Sequence, residues 1–181
     1  MALKATIFKV DLQVADMDRN YYGDHALTIA RHPSETDERM MMRVLAFACH
    51  ADPALSFGKG LSSEEEPDLW KKDLTGAIDL WIEVGLPDDK RLLKASGKAA
   101  KVVVYSYGSA ASVWWKQISG KIERARNIEV FHLPPAVSLA LAKLAQRTMQ
   151  LQCTIQDKQM WFTGTDDAIP AELTLLREAR Q

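Results

Sequence analysis

Glu66-Pro67-Asp68-Leu69-Trp70-Lys71-Lys72-Asp73-Leu74-Thr75-Gly76-Ala77-Ile78-Asp79-Leu80-Trp81-Ile82-Glu83-Val84-Gly85 is the stretch that decides the fold of this chain. Two alternating runs, 68–72 and 78–84, flank a Thr75-Gly76 turn signal, which is the pattern of a β-hairpin. With Thr75 and Gly76 as the loop, Leu74 pairs with Ala77, Trp70 faces Trp81, Lys72 faces Asp79 and Asp68 faces Glu83. Side chains alternate across a strand, so Asp68, Trp70, Lys72, Asp79, Trp81 and Glu83 share one face, and Ile78, Leu80, Ile82 and Val84 fill the other. Carboxylates opposed across two strands lie about 5 Å apart at Cβ and repel, a poor choice for stability alone. The pattern therefore calls for a positive charge between Asp68 and Glu83. A hard divalent cation such as Mg²⁺, held by one or two carboxylates and several waters, meets that need. The plainer alternative is an ordinary solvated polar face with both acids in water.

Outward from the hairpin, the downstream sequence reads as a crossover. Leu86-Pro87-Asp88-Asp89 is a helix start with acids in its first turn, and Lys90, Arg91, Lys94, Lys98 and Lys101 follow. Val102-Val103-Val104-Tyr105-Ser106-Tyr107 is a β-branched run of the kind found in central strands covered on both faces. Strand, helix and strand in that order place the two strands parallel and adjacent. Residues 109–122 carry Val113, Trp114, Gln117 and Ile118 at helical spacing, with Trp114 expected in the core. Strand 127–133, a helix opened by Pro134-Pro135, and a second hairpin around Gln156-Asp157-Lys158 complete this half. The tail from Pro170 is a short segment without a clear pattern.

Upstream, Phe8, Val10, Leu12 and Val14 alternate with polar residues as in a half-buried strand. A polar break at residues 15–20 leads into a second run to Arg31, which makes a long N-terminal hairpin. His25 and His32 lack a second histidine at metal-ligand spacing and read as hydrogen-bonding residues. Pro33-Ser34-Glu35-Thr36-Asp37 opens a helix, with Ser34 as the expected N-cap and Asp37 three residues on. Its apolar stripe is Met41, Val44, Leu45 and Ala48, and Glu38 lies on the edge of that stripe. Glu35 and Asp37 are accounted for by the helix dipole alone. Residues 52–63 read as a loop with one short strand near 55–57; Gly58-Lys59-Gly60 lacks the spacing of a phosphate loop.

The 181 residues suit one domain, with 47% hydrophobic and 26% charged residues as in a soluble globular protein. A formal net charge of −1 gives no overall basic field to attract a polyanion, so any nucleic-acid contact must come from a local patch. Cys49 and Cys153 suit free thiols in a reducing compartment. No run approaches the length of a membrane span and the start lacks a signal-type apolar core, so no membrane association and a cytoplasmic location are expected.

The order of elements resembles the restriction-endonuclease-like fold: an α/β mixed sheet flanked by helices, here with an N-terminal β-hairpin. In that superfamily, known by its PD-(D/E)xK signature, an Asp after Pro and an acid on the next strand hold a divalent metal, and a Lys two residues later positions the attacking water. Pro67-Asp68 and Glu83-Val84-Gly85 resemble the first two elements, and Glu38 resembles the helix acid that many members add. Residues 1–9 (Met-Ala-Leu-Lys-Ala-Thr-Ile-Phe-Lys), residues 31–41, Pro67-Asp68-Leu69-Trp70 and Leu80-Trp81-Ile82-Glu83-Val84-Gly85 are similar to the bacterial YaeQ family over essentially the whole length. The YaeQ resemblance implies that fold, and the superfamily pattern carried onto these positions implies a Mg²⁺-dependent nuclease with Glu38, Asp68 and Glu83 as metal ligands. Gly85 stands where the pattern has Lys. The expected substitutes are Lys72, Lys90 or Lys94, with Lys94 favoured as the catalytic one; Lys72, Lys90, Arg91, Lys98 and Lys101 would contact phosphates. The alternative is a catalytically inactive nuclease-fold module that binds nucleic acid or a protein partner, for which Trp70 and Trp81, expected to be exposed, would supply stacking surface.

Overall fold

A computed structural model describes residues 4–165 and 167–180. It contains strands β1 (Thr6–Asp16) and β2 (Tyr21–Arg31), helix α1 (Asp37–Cys49), strands β3 (Leu55–Phe57), β4 (Leu69–Lys72) and β5 (Ile78–Val84), and helix α2 (Asp89–Lys98). After these come β6 (Ala99–Tyr107), α3 (Ala111–Ile118), β7 (Ile128–Leu133), α4 (Pro135–Ala142), β8 (Thr148–Gln156), β9 (Gln159–Thr163), β10 (Ala168–Pro170) and β11 (Thr174–Arg177). The architecture is mixed α/β, with two mixed sheets. The chain divides into two compact units, one formed by the chain up to Ala51 with Ala136–Glu172, the other by Asp52–Pro135 with the tail from Leu173.

In the first unit the sheet order is β10-β9-β8-β1-β2. The N-terminal hairpin forms as expected, β1 pairing antiparallel with β2 from Thr6 opposite Arg31 to Asp16 opposite Tyr21. Phe8, Val10, Leu12 and Val14 are buried, because the period-2 pattern aims them all at one face. Helix α1 lies against that face, with His25 edge-on to Phe47 at 5.0 Å and Cys49 Sγ 3.8 Å from Met160 Sδ. Every residue from Met40 to Ala48 is buried, Arg43 included, so the helix is enclosed well beyond the stripe of Met41, Val44, Leu45 and Ala48 read from the sequence.

Two readings at the start of α1 are corrected. Its N-cap is Thr36, whose hydroxyl accepts from Arg39 N at 3.1 Å; Ser34 instead exchanges hydrogen bonds with the His32 ring. Ser34 precedes the helix by three residues and so does not reach the N–H groups of the second and third helical residues, which a cap must satisfy. Glu35 is more than a dipole partner. It is buried and receives Arg43 Nη2 at 2.6 Å, Arg43 Nε at 3.0 Å and Arg39 Nη1 at 2.7 Å, a bidentate pair of the geometry carboxylates and guanidinium favour.

In the second unit the order is β11-β7-β6-β5-β4-β3. The predicted crossover is present: β5 runs parallel to β6 with Ile82 beside Val103, and β6 parallel to β7. Trp81, Leu92, Ala95, Val102, Val104, Trp114, Ile118, Ile128 and Val130 form one apolar cluster, so α2 and α3 cover the same sheet face. Trp114 is core, as expected, and its indole N–H donates to Pro87 O at 2.7 Å.

The hairpin itself departs from the predicted turn. Trp70 faces Trp81 and Lys71 faces Leu80, but Lys72 faces Ile78, and a bulge lies between Lys71 and Lys72. Asp79 is therefore not opposite Lys72. The loop has three residues: Asp73 N donates to Ala77 O at 2.9 Å and Gly76 N to Asp73 O at 3.0 Å, with Gly76 at φ +88°. A three-residue loop with a left-handed glycine is a standard hairpin closure that inserts one residue on one strand. The Asp73 carboxylate fixes it by accepting from Thr75 N, Thr75 Oγ1 and Ala77 N, and these bonds hold its pKa below the usual range.

Candidate functional site

The bulge restores, toward the open end of the hairpin, the pairing expected from the sequence. Past Trp70 and Trp81, whose rings meet edge to face at 6.1 Å, the strands bring Asp68 and Glu83 alongside each other; Asp68 N donates to Ile82 O at 3.1 Å. Both acids are buried, Asp68 at 1% exposure and Glu83 at 3%. Trp81 is buried as well, at 2%. The expectation of exposed Trp70 and Trp81 is thus corrected: Trp70 is half-buried against the apolar cluster, and β5 is an inner strand whose face carrying Trp81 and Glu83 is covered by α2, entering immediately after it.

Each acid is held by a specific donor. Glu83 Oε1 accepts from Trp81 Nε1 at 2.8 Å and from Arg91 Nε at 2.7 Å. Asp68 Oδ2 accepts from Val84 N at 2.8 Å. Burial, and after it the charge of Asp68, pushes the Glu83 carboxyl up to about 7 against the opposing pull of Arg91 and Trp81. For Glu83, burial and the neighbouring charge of Asp68 thus outweigh the guanidinium and the indole.

The loop that carries Gly58 and Gly60 wraps the Pro67-Asp68 peptide. Gly58 N donates to Asp68 O at 3.0 Å and Gly60 N to Pro67 O at 3.1 Å. A Cβ at Gly60, which sits at φ +46°, would stand 2.4 Å from Asp68 Oδ1, and one at Gly58 would stand 2.2 Å from Pro67 O. These glycines are required for close approach, not for phosphate binding. Gly85 is constrained differently, by its backbone and not by a close neighbour. Gly85 ends β5 at φ +106° with its N–H on Tyr105 O at 2.9 Å, a backbone that a lysine adopts only with strain.

The cation on Glu83 is Arg91. Eight residues after Glu83, it stands in the first turn of α2, which is capped by Asp88 accepting from Arg91 N at 2.7 Å. Its guanidinium also donates to Glu66 O at 2.9 Å and Ser63 O at 3.4 Å. Lys94 and Lys98 lie farther along the helix, each 2.9 Å from a different oxygen of Glu65. Lys72 is exposed, its Nζ 3.8 Å over the Trp70 ring; Lys101 pairs with Glu129 at 3.5 Å; Lys90 is exposed. Glu38 belongs to the first unit, half-buried, and its carboxylate accepts from Ser138 Oγ at 2.9 Å. Among the described residues no group of three or more His, Cys, Asp or Glu side chains has metal-binding spacing.

Sequence reasoning missed Arg91 as the partner of Glu83, and Glu65 as the partner of two lysines. The only signal for the first is a helix cap three residues before an arginine, just after an acid-bearing strand. A second polar pair, Ser106 Oγ and His132 Nδ1 at 3.3 Å, is built on adjacent parallel strands. The Ser106 hydroxyl is fully buried and donates to Phe131 O at 2.8 Å, which commits it to the backbone.

The profile described as YaeQ protein matches residues 1–173. "Uncharacterized protein YaeQ" of Salmonella typhi is 47% identical over 175 residues, covering 96% of this chain and 97% of that one. Its namesake in Escherichia coli K12 is 46% identical with the same coverage. The crystal structure of YaeQ protein from Xanthomonas axonopodis pv. citri superposes with a TM-score of 0.92 at 44% identity, covering 97% of this chain and 99% of that one. That of Pseudomonas syringae YaeQ gives 0.93 at 36% identity, with 98% of each covered.

Proposed function

The chain belongs to the YaeQ family, and on that premise we propose that its second unit hydrolyses phosphodiesters in nucleic acid with a divalent metal, in the manner of restriction-endonuclease-like PD-(D/E)xK enzymes. The observation that carries this reading is the buried Asp68–Glu83 pair, in which Glu83 is pushed up to about 7 although an arginine and an indole already bond it. Two hard, buried carboxylate donors, each raising the cost of the other's charge, suit Mg²⁺, which takes one or two carboxylates and completes its shell with water and substrate oxygens. Asp68 and Glu83 would hold the ion. When bound, it would polarise a phosphoryl oxygen and lower the pKa of water.

The remaining work falls to the chain's own groups. Trp81 Nε1–H holds the Glu83 carboxylate and Val84 N–H holds that of Asp68. Arg91 takes over the positive charge that the superfamily pattern assigns to Lys and that Gly85 cannot supply. A guanidinium stays protonated, so Arg91 orients and balances charge and does not shuttle a proton. Lys94 and Lys98 extend the same cationic face toward substrate phosphates. The proposal rests on the acids of the second unit alone and gives Glu38 no assigned part.

A second reading is favoured by one observation: Arg91 already sits on the Glu83 oxygen at 2.7 Å. A pair compensated in this way would serve a non-catalytic module that binds nucleic acid or protein through the α2 face. Incubation with labelled single- and double-stranded DNA and RNA in Mg²⁺ or Mn²⁺ separates the two. Hydrolysis in wild type that is lost in Glu83→Gln and with EDTA supports the enzyme; oligonucleotide binding without cleavage in any metal supports the module.

A further inference from the structure

Arg91, Lys94 and Lys98 stand at spacings of three and four on α2 and so line one side of the helix. All three are engaged by one four-residue segment. Ser63 O and Glu66 O accept from Arg91, and the Glu65 carboxylate is forked between Lys94 Nζ and Lys98 Nζ at 2.9 Å each. Glu65 N in turn donates to Ser63 Oγ at 3.0 Å, which sets the turn that aims the carboxylate at the helix. Exposed ion pairs of this kind contribute little to stability, so the convergence of two lysines on one carboxylate is a weak structural device. It is, however, the arrangement in which two ammonium groups grip an oxyanion.

We propose that Lys94 and Lys98 form a phosphate subsite beside the Asp68–Glu83 pair, and that Glu65 occupies it in the free protein as a stand-in for the substrate phosphate. The inference rests on the phosphodiesterase reading for the identity of the ligand, but not on catalysis. A phosphodiester carries the same single negative charge as a carboxylate, but a nucleic-acid strand presents that charge repeatedly, so it competes with Glu65 for the two ammonium groups and, once bound, frees residues 63–66 from the lysines. The segment is then an internal competitor. Its removal raises affinity for phosphate-bearing ligands without new contacts, because the competing occupant is gone.

The test is fluorescence anisotropy of a labelled DNA 12-mer and RNA 12-mer on the full chain at 50 and 200 mM salt, with inorganic phosphate as a competitor. Glu65→Gln is expected to tighten binding about fivefold or more and to lower the phosphate concentration needed for competition by a similar factor. Glu64→Gln, the same charge change at the exposed neighbouring acid, is expected to leave both within about twofold. Adding Lys94→Ala and Lys98→Ala to Glu65→Gln should cancel the gain. Equal affinities for Glu65→Gln and Glu64→Gln would overturn the proposal, leaving a charge effect only. If Glu65→Gln binds tighter while no metal supports cleavage, the subsite stands and the nuclease reading falls. If wild type cleaves and Glu65→Gln shows an unchanged KM, the subsite falls and the nuclease reading stands.

Discussion

The chemistry of the site turns on the microenvironment of Glu83. Its pKa is raised in the folded chain above the value of about 4.3 that it has when solvated, so folding favours the protonated form. That contribution is complete below the unfolded pKa and is lost as pH rises through about 7. Between pH 5 and 8, in EDTA, wild type should lose stability on the order of 3 kcal/mol, and Glu83→Gln should lack this slope; parallel pH–Tm curves for the two proteins would refute it. Arg91 acts in the opposite direction. Arg91→Ala leaves a buried carboxylate without its guanidinium, which should cost about 3 kcal/mol at pH 7 in urea unfolding and move the pH transition upward. Arg91→Lys keeps the charge but cannot also reach Ser63 O and Glu66 O, and should fall between. At this scale the acids were legible, because Asp68 and Glu83 stand at matched alternating positions. The cation was not: spacing along a helix says which residues share a face, but not that Lys94 turns to Glu65 while Arg91 folds back to Glu83.

The hairpin shows how an element can be read correctly in outline and wrongly in its turn. Alternation fixed the strands and the Trp70–Trp81 pairing, whereas the choice between a two- and a three-residue loop depends on Asp73, whose side chain binds three groups of the turn. Asp73→Ala should speed amide hydrogen exchange at Lys72–Ala77 while leaving the Asp68–Glu83 end protected; equal exchange across the whole hairpin would contradict the division of labour. At the other end, Gly60 serves the acid pair through close packing. Gly60→Ala places a methyl against Asp68 Oδ1 at a positive φ and should destabilise the second unit by about 1–3 kcal/mol, read by thermal unfolding. Helix α1 teaches the same lesson: its apolar stripe was visible, but its cap lay two residues later than expected because Ser34 bonds His32 and leaves capping to Thr36.

For the whole molecule, two pieces followed from pattern, the period-2 hairpin at the start and the strand–helix–strand crossover with a β-branched inner strand, whereas the single mixed sheet expected from the sequence is in fact two sheets. What pattern could not give is the partition into two sheets, since the chain leaves the first unit after Ala51 and returns to it at Ala136, and pairings such as β1 with β8 join residues more than a hundred positions apart. No described helix is long and apolar enough to cross a membrane. Family membership carries the fold across bacterial relatives and leaves the activity to be decided at the acid pair. The decisive measurement is isothermal titration of the full chain with Mn²⁺ in metal-free buffer. A single site per chain, abolished in Glu83→Gln and in Asp68→Asn while both variants keep the wild-type circular dichroism, is the predicted result; no binding by wild type, or equal binding by the two variants, would contradict it.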